Sequence, residues 1–467
     1  MERWVRLNGR FAIVVALTLL VLLLPTPQDL PPAGKKALAV FVFTSSIFTL
    51  QPVSLPFASL MVFVSMVMLG VADATQAFRA LSRPIVILIL GSLFIAEALR
   101  KHGLTRRLAL NSIVASGGDV KKLLLGLMSI AALLSMWMEN TATAAVLIPV
   151  TMTIANQIED RDKAREVTLL LVLGIAYSAS LGGMVTITGS ASNAVASGFL
   201  AEIMTWTFVD WVKYGLPAFI VIFPITWLVL PRLVKTSLSK MDITLAREEL
   251  KSLGPIRPVE WEIIIVMNVT VVLWILGSYI EPILDLPMTV MSPSVVAIVA
   301  VAYLSIRGII VWEDVQDVSW GMLFIIGAGL ALGEVMKRTG ATDWLAIPIT
   351  PIVIGTPFFL SLLVLIFFGA LVTNVMNNTT VAAVFTPMLI GLARQDPSLD
   401  ILQLVIPLTL ATTFGYALPS ASGRMALISA TGIVERRDMI RFGLVMSVIS
   451  SLVLTVLFYI IRLIGWI

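Results

Sequence analysis

Two short stretches of this chain set out the same side chains in the same order. Glu139-Asn140-Thr141-Ala142-Thr143-Ala144-Ala145-Val146-Leu147-Ile148-Pro149 returns as Asn377-Asn378-Thr379-Thr380-Val381-Ala382-Ala383-Val384-Phe385-Thr386-Pro387, with Asn, Thr, two Ala, Val and Pro at matching places. An Asn-Thr pair offers an amide, a hydroxyl and, where a helix starts, free backbone N–H groups, a donor set suited to an oxyanion. Each pair interrupts a long apolar segment, where polar groups are costly and mark function or helix–helix contact.

The rest of the composition says what surrounds them. Of 467 residues, 58% are hydrophobic and 13% charged, and the mean hydropathy is +0.99. That is an all-α polytopic membrane protein, with no room for a separate soluble domain. The net charge is +4 and the pI about 9.3, but Lys and Arg are scattered through short loops, a pattern that orients helices in a bilayer and excludes nucleic-acid binding. With no cysteine and one histidine, His102, thiolate sites, disulfides and His-based metal sites drop out. No hydrolase motif, phosphate loop or metal-ligand cluster is visible, so no enzyme and no organic cofactor is expected. The stretch Phe11 to Leu24 follows Arg10 and runs into Pro25-Thr26-Pro27 without a small-residue cleavage site, and reads as a retained span.

Hydropathy predicts about eleven spans, near 11–27, 37–52, 54–72, 84–100, 166–203, 211–230, 260–280, 288–306, 319–337, 401–434 and 440–466. Segments 122–157 and 357–393, broken at the Asn-Thr pairs, are expected to be re-entrant hairpins. With the N-terminus cytoplasmic and the C-terminus external in an inner (plasma) membrane, Arg100 to Lys122, Arg161 to Arg165, the stretch 231–262 and Arg436 to Arg441 fall inside. Lys35, Lys36, Lys337 and Arg338 are external exceptions.

A duplication runs through this plan. Glu97-Ala98-Leu99-Arg100-Lys101-His102-Gly103 parallels Glu334-Val335-Met336-Lys337-Arg338-Thr339-Gly340, and Ser190-Ala191-Ser192 returns as Ser420-Ala421-Ser422. The division is then 1–36, a first span and loop; 37–230, the first repeat; 231–259, a linker with a short amphipathic helix from Thr244; and 260–467, the second repeat. Equivalent elements lie an odd number of spans apart, which inverts the second half, as in secondary transporters. The Gly-, Ser- and Thr-rich run Gly182 to Asn193 and its partner Thr412 to Arg424 should unwind spans 166–203 and 401–434. Unwound backbone is tolerated in a bilayer only where protein buries it or a cavity meets it. Either motif alone reads as close packing as readily as function; two copies, each followed by a broken helix, favour transport.

These residues resemble the divalent anion/sodium symporters, which carry dicarboxylates, citrate or sulfate, and the resemblance covers essentially the whole chain. It implies that Asn140-Thr141 and Asn378-Thr379, at two opposed hairpin tips, each hold one substrate carboxylate. It also implies a homodimer in the bilayer, with a fixed scaffold and a mobile domain that moves like an elevator. Glu139 and Asn377 stand where the family has Ser, and Ser190-Ala191-Ser192-Asn193 stands where it has Thr-Pro-Pro-Asn. The second copy, Ser422-Gly423-Arg424-Met425, keeps neither the prolines nor the Asn.

Those departures flank the family's sodium sites. Ser135, Gly182, Gly183, Ser190 and Asn193 could supply oxygens for a first Na+ near Asn140 and Gly183. Arg424 is expected to replace a second sodium as a tethered charge or to bind a substrate carboxylate. Glu139 is expected to carry a proton, bind a cation, pair with Arg424 or simply cap a helix. The expected substrate is a small divalent anion, most simply a C4-dicarboxylate such as succinate or malate. Exchange or H+ coupling is favoured over Na+ symport, with sulfate transport and Na+/H+ antiport through Glu139 as alternatives.

Overall fold

The computed structural model describes residues 2–287, 289–347, 356–396 and 399–466, so residue 288, where one expected span begins, lies outside it. The described chain is helical throughout; its one β-contact is an isolated bridge between Asp119 and Lys240. Among the described residues, seven helices are long and apolar enough to cross a membrane, eight if the bent pair 74–82 and 84–101 counts as one. Shorter apolar helices lie at 8–23, 55–68 and 293–306.

Helices begin where local chemistry permits. Pro32, Pro84, Pro258 and Pro293 open α2 (Pro32–Leu50), α5 (Pro84–Lys101), α13 (Pro258–Ile283) and α14 (Pro293–Ile306), at a position where the missing N–H costs nothing. Asp119 and Asp160 cap α7 (Val120–Ser135) and α9 (Arg161–Gly183). Gly103 and Gly340, with φ of 76° and 72°, make the same left-handed turn after α5 and after α15 (Trp320–Arg338). The sequence parallel between the two stretches thus has a conformational counterpart.

Both Asn-Thr segments are helical hairpins. α7 turns through Met136–Glu139 into α8 (Asn140–Ala155), and α17 (Phe358–Val375) turns at Met376 and Asn377 into α18 (Asn378–Gln395). Both expected breaks are present. α9 stops at Gly183 and resumes after Ser190 as α10 (Ala191–Leu200); α19 (Ile401–Ala411) passes through two short 3-10 turns before α20 (Gly423–Ala430). The linker holds α12 (Thr244–Ser252), as its amphipathic pattern predicts.

Burial separates inner from outer helices. α9 is 89% buried over its most apolar window, whereas α11 (Phe208–Leu233) and α13 are 22% buried, a lipid-facing pattern. α9 packs on α7 and α8, α3 (Leu55–Met68) packs on α15 and α5 on α14, and α15 also packs on α10 and α18.

Candidate functional site

Four helix N-termini meet around a cavity of about 350 Å³. Glu139, Asn140 and Thr141 open α8; Ser190 and Ala191 open α10; Asn377, Asn378 and Thr379 open α18; Ser422, Gly423 and Arg424 open α20. Helix starts carry unsatisfied N–H groups and partial positive charge, so their convergence favours an anion. Leu55 and Pro56 of α3 and Ser319, Gly321, Met322 and Ile325 at the start of α15 close the remaining wall.

The two tips use their donors differently. At the first, the Glu139 carboxylate accepts hydrogen bonds from Thr141 N at 2.9 Å, Ala142 N at 3.1 Å and Thr141 Oγ1 at 2.8 Å. The Asn140 amide nitrogen, in the orientation that satisfies both ends of the amide, faces the carbonyls of Ala179 at 2.9 Å and Gly189 at 3.1 Å, binding the tip to the broken helix. At the second, Asn377 Oδ1 accepts from Thr379 N at 3.0 Å and Thr373 Oγ1 donates to Asn378 Oδ1 at 2.6 Å. The Asn378 amide nitrogen and the Thr379 hydroxyl have no bond to protein among the described residues and border the cavity.

Of the roles open to Glu139, the geometry displays the helix cap; it forms no ion pair with Arg424. Arg424 is 1% exposed. Its Nη2 donates to the Thr413 carbonyl at 3.2 Å, an oxygen that also accepts from Ser180 Oγ, and its Nε has no partner among the described residues. Beside it the rings of Tyr177 and Tyr416 lie 4.4 Å apart, joining the two broken helices.

The two sodium sites implied by the resemblance fare differently. In the first half, a Cβ on Gly189 would stand 2.6 Å from the Gly183 carbonyl oxygen and 2.7 Å from that of Ser135. Ser135 Oγ and Asn193 Oδ1, from the same stretches, are buried without a hydrogen-bond partner among the described residues. Several oxygens with spare lone pairs fit a hard cation. Gly182 fits closely against the Ala132 carbonyl, and Ser190 Oγ bonds Ser192 Oγ at 2.8 Å, so both shape the bend. In the second half the corresponding carbonyl, that of Thr413, accepts from the Arg424 guanidinium.

The wall residues of α3 and α15, together with Ser180 and Tyr177, were not legible as site residues. They lie in ordinary apolar helices, and only the Pro56 and Gly321 helix starts could have drawn attention.

A polytopic helical membrane protein with opposed hairpins and paired broken helices around one polar cavity has the build of a secondary transporter. The family described as the sodium:sulfate symporter transmembrane region matches residues 5–466, and the chain belongs to that family, one of transporters and not of enzymes. An uncharacterized transporter of Haemophilus influenzae is 30% identical over 458 residues, covering 97% of this chain and 96% of the relative. The sodium-dependent dicarboxylate transporter SdcS of Staphylococcus aureus is 26% identical over 463 residues, covering 95% and 89%. In fold, the chain is similar to the YdaH transporter of Alcanivorax borkumensis, with a TM-score of 0.53 at 14% identity, over 93% of this chain and 99% of that one.

Proposed function

We propose that the protein moves small divalent anions, C4-dicarboxylates such as succinate or malate, across the plasma membrane by exchange or with protons. The observation that carries this reading is Arg424, buried at the cavity with no carboxylate in ion-pair reach among the described residues. A buried charge without a partner is costly, so an incoming dianion completes the site. One carboxylate meets the free donors of Asn378 and Thr379 and the α20 start; the other faces the Asn140-Thr141 tip, whose Thr141 donors the Glu139 carboxylate holds in this state. The dicarboxylate substrate named for SdcS supports the same class.

Exchange follows from charge. The empty site keeps the Arg424 guanidinium and three helix starts free of any carboxylate, the fourth being capped by Glu139, and moving these past the apolar wall of Leu55, Pro56, Met322 and Ile325 is unfavourable. A bound dianion cancels that charge and permits movement. A sodium ion at Ser135, Gly183 and Asn193 would add positive charge beside the first tip and tighten anion binding. In this reading the chain forms a homodimer in the bilayer, with α2, α3, α5 and α13–α15 as the fixed frame. The hairpins, broken helices, α11 and α21 (Arg436–Leu463) form the moving body. The cavity lies at the ends of α3 and α15 that the charge pattern assigns to the cytoplasm, an inward-facing state. Calorimetric titration with succinate tests the site: wild type should bind and Arg424→Ala should bind much more weakly, whereas equal affinity would remove Arg424 from it.

A further inference from the structure

Arg83, immediately before α5, reaches two carboxylates at once. Its Nη2 lies 2.5 Å from Glu334 Oε2 on α15, and its Nη1 pairs with Glu202, just past the end of α10. The three line a charged hollow of about 820 Å³ at the opposite end of α15 from the anion cavity. Arg83 is 19% exposed, Glu202 28% and Glu334 34%, so the cluster is partly shielded from water yet free to rearrange.

The two contacts differ in what they join. In the moving-body reading α5 and α15 both belong to the fixed frame, so Arg83–Glu334 stays inside one body. Arg83–Glu202 crosses to the broken helix that bears the binding site. The repeat has no counterpart to it: α20 ends as α10 does, and the residue in the place of Glu202 is Gly432, with φ +71° and no side chain. Glu97, the counterpart of Glu334, is bonded to Arg100 of its own helix.

We propose that Arg83 and Glu202 form a one-sided latch that holds the moving body in the state described here, with Glu334 as a rival that keeps the latch weak. The proposal rests on the moving-body reading above. Glu202→Gln frees the body, and Glu334→Gln gives Arg83 wholly to Glu202 and tightens the hold. The chain has no cysteine, so Thr75→Cys on the fixed side and Ala201→Cys on the moving side can carry spin labels. Pulsed electron paramagnetic resonance in nanodiscs, with and without saturating succinate, then reads both states. Glu202→Gln should raise the alternative distance about two- to tenfold, as expected for a partly exposed ion pair, and Glu334→Gln should lower it. Two distances in the parent, with populations untouched by Glu202→Gln, would overturn the latch alone. A single distance in the parent under every condition would overturn the moving-body reading and the latch with it.

Discussion

Asn193 and Arg424 make the same contact in the two halves of the molecule. Asn193 Nδ2 donates to the Gly183 carbonyl at 2.8 Å and Arg424 Nη2 to the Thr413 carbonyl at 3.2 Å; Gly183 ends α9, and Thr413 lies in the 3-10 turn that follows α19. One donor is neutral and leaves neighbouring oxygens available to a cation. The other brings a permanent charge of its own.

Arg424→Ala should therefore weaken succinate binding about ten- to a hundredfold, the range for losing hydrogen bonds to a charged group. Arg424→Lys should fall between, because it keeps the charge and loses the fork. Sodium should restore part of the alanine variant's affinity. Titration of the three proteins with and without sodium checks this, and an alanine variant insensitive to sodium would deny that the guanidinium stands in for an ion.

Asn378→Ala should cost at least about tenfold in affinity, through loss of a donor to a carboxylate. Asn140→Ala should lose affinity and also melt at lower temperature, because its amide ties the tip to Ala179 and Gly189. Titration and thermal melting separate the two effects. Wild-type affinity in both would place the substrate elsewhere.

Two glycines set how closely the tips approach the breaks. A Cβ on Gly183 would lie 2.3 Å from the Asn140 side-chain amide, and one on Gly423 would lie 2.6 Å from Thr141 Oγ1. Gly183→Ala and Gly423→Ala should abolish transport in proteoliposomes, whereas Gly9→Ala, which meets open space, should not. Full transport by both site variants would show that the tips need not pack as described.

Glu139→Ala should lower stability by about 1 kcal/mol, the usual worth of a helix cap. Glu139→Gln keeps an acceptor and should transport with an unchanged pH profile. Loss of activity or of pH dependence in the glutamine variant would revive the proton or antiport role.

Much of this arrangement could be read from residues alone, because membrane depth makes each polar residue conspicuous. The Asn-Thr tips, the Gly182 to Asn193 break and the Arg424 break all stood out against apolar surroundings, and all border or shape one cavity. Glu139 remained ambiguous, since the same carboxyl could carry a proton or cap a helix, and only the three donors around it show the cap. The α3 and α15 wall stayed hidden because Leu55, Met322 and Ile325 look like any lipid-facing or core residue. Arg83 and Glu202 are far apart in sequence, and nothing local couples them.

The most direct test of the central claim is uptake of labelled succinate into proteoliposomes preloaded with unlabelled succinate, with no cation gradient, compared with empty vesicles. Rapid uptake only into the loaded vesicles is predicted, because the empty carrier retains its charge. Equal uptake into both, or uptake that appears only under an inward sodium gradient, would contradict the exchange mechanism built on Arg424.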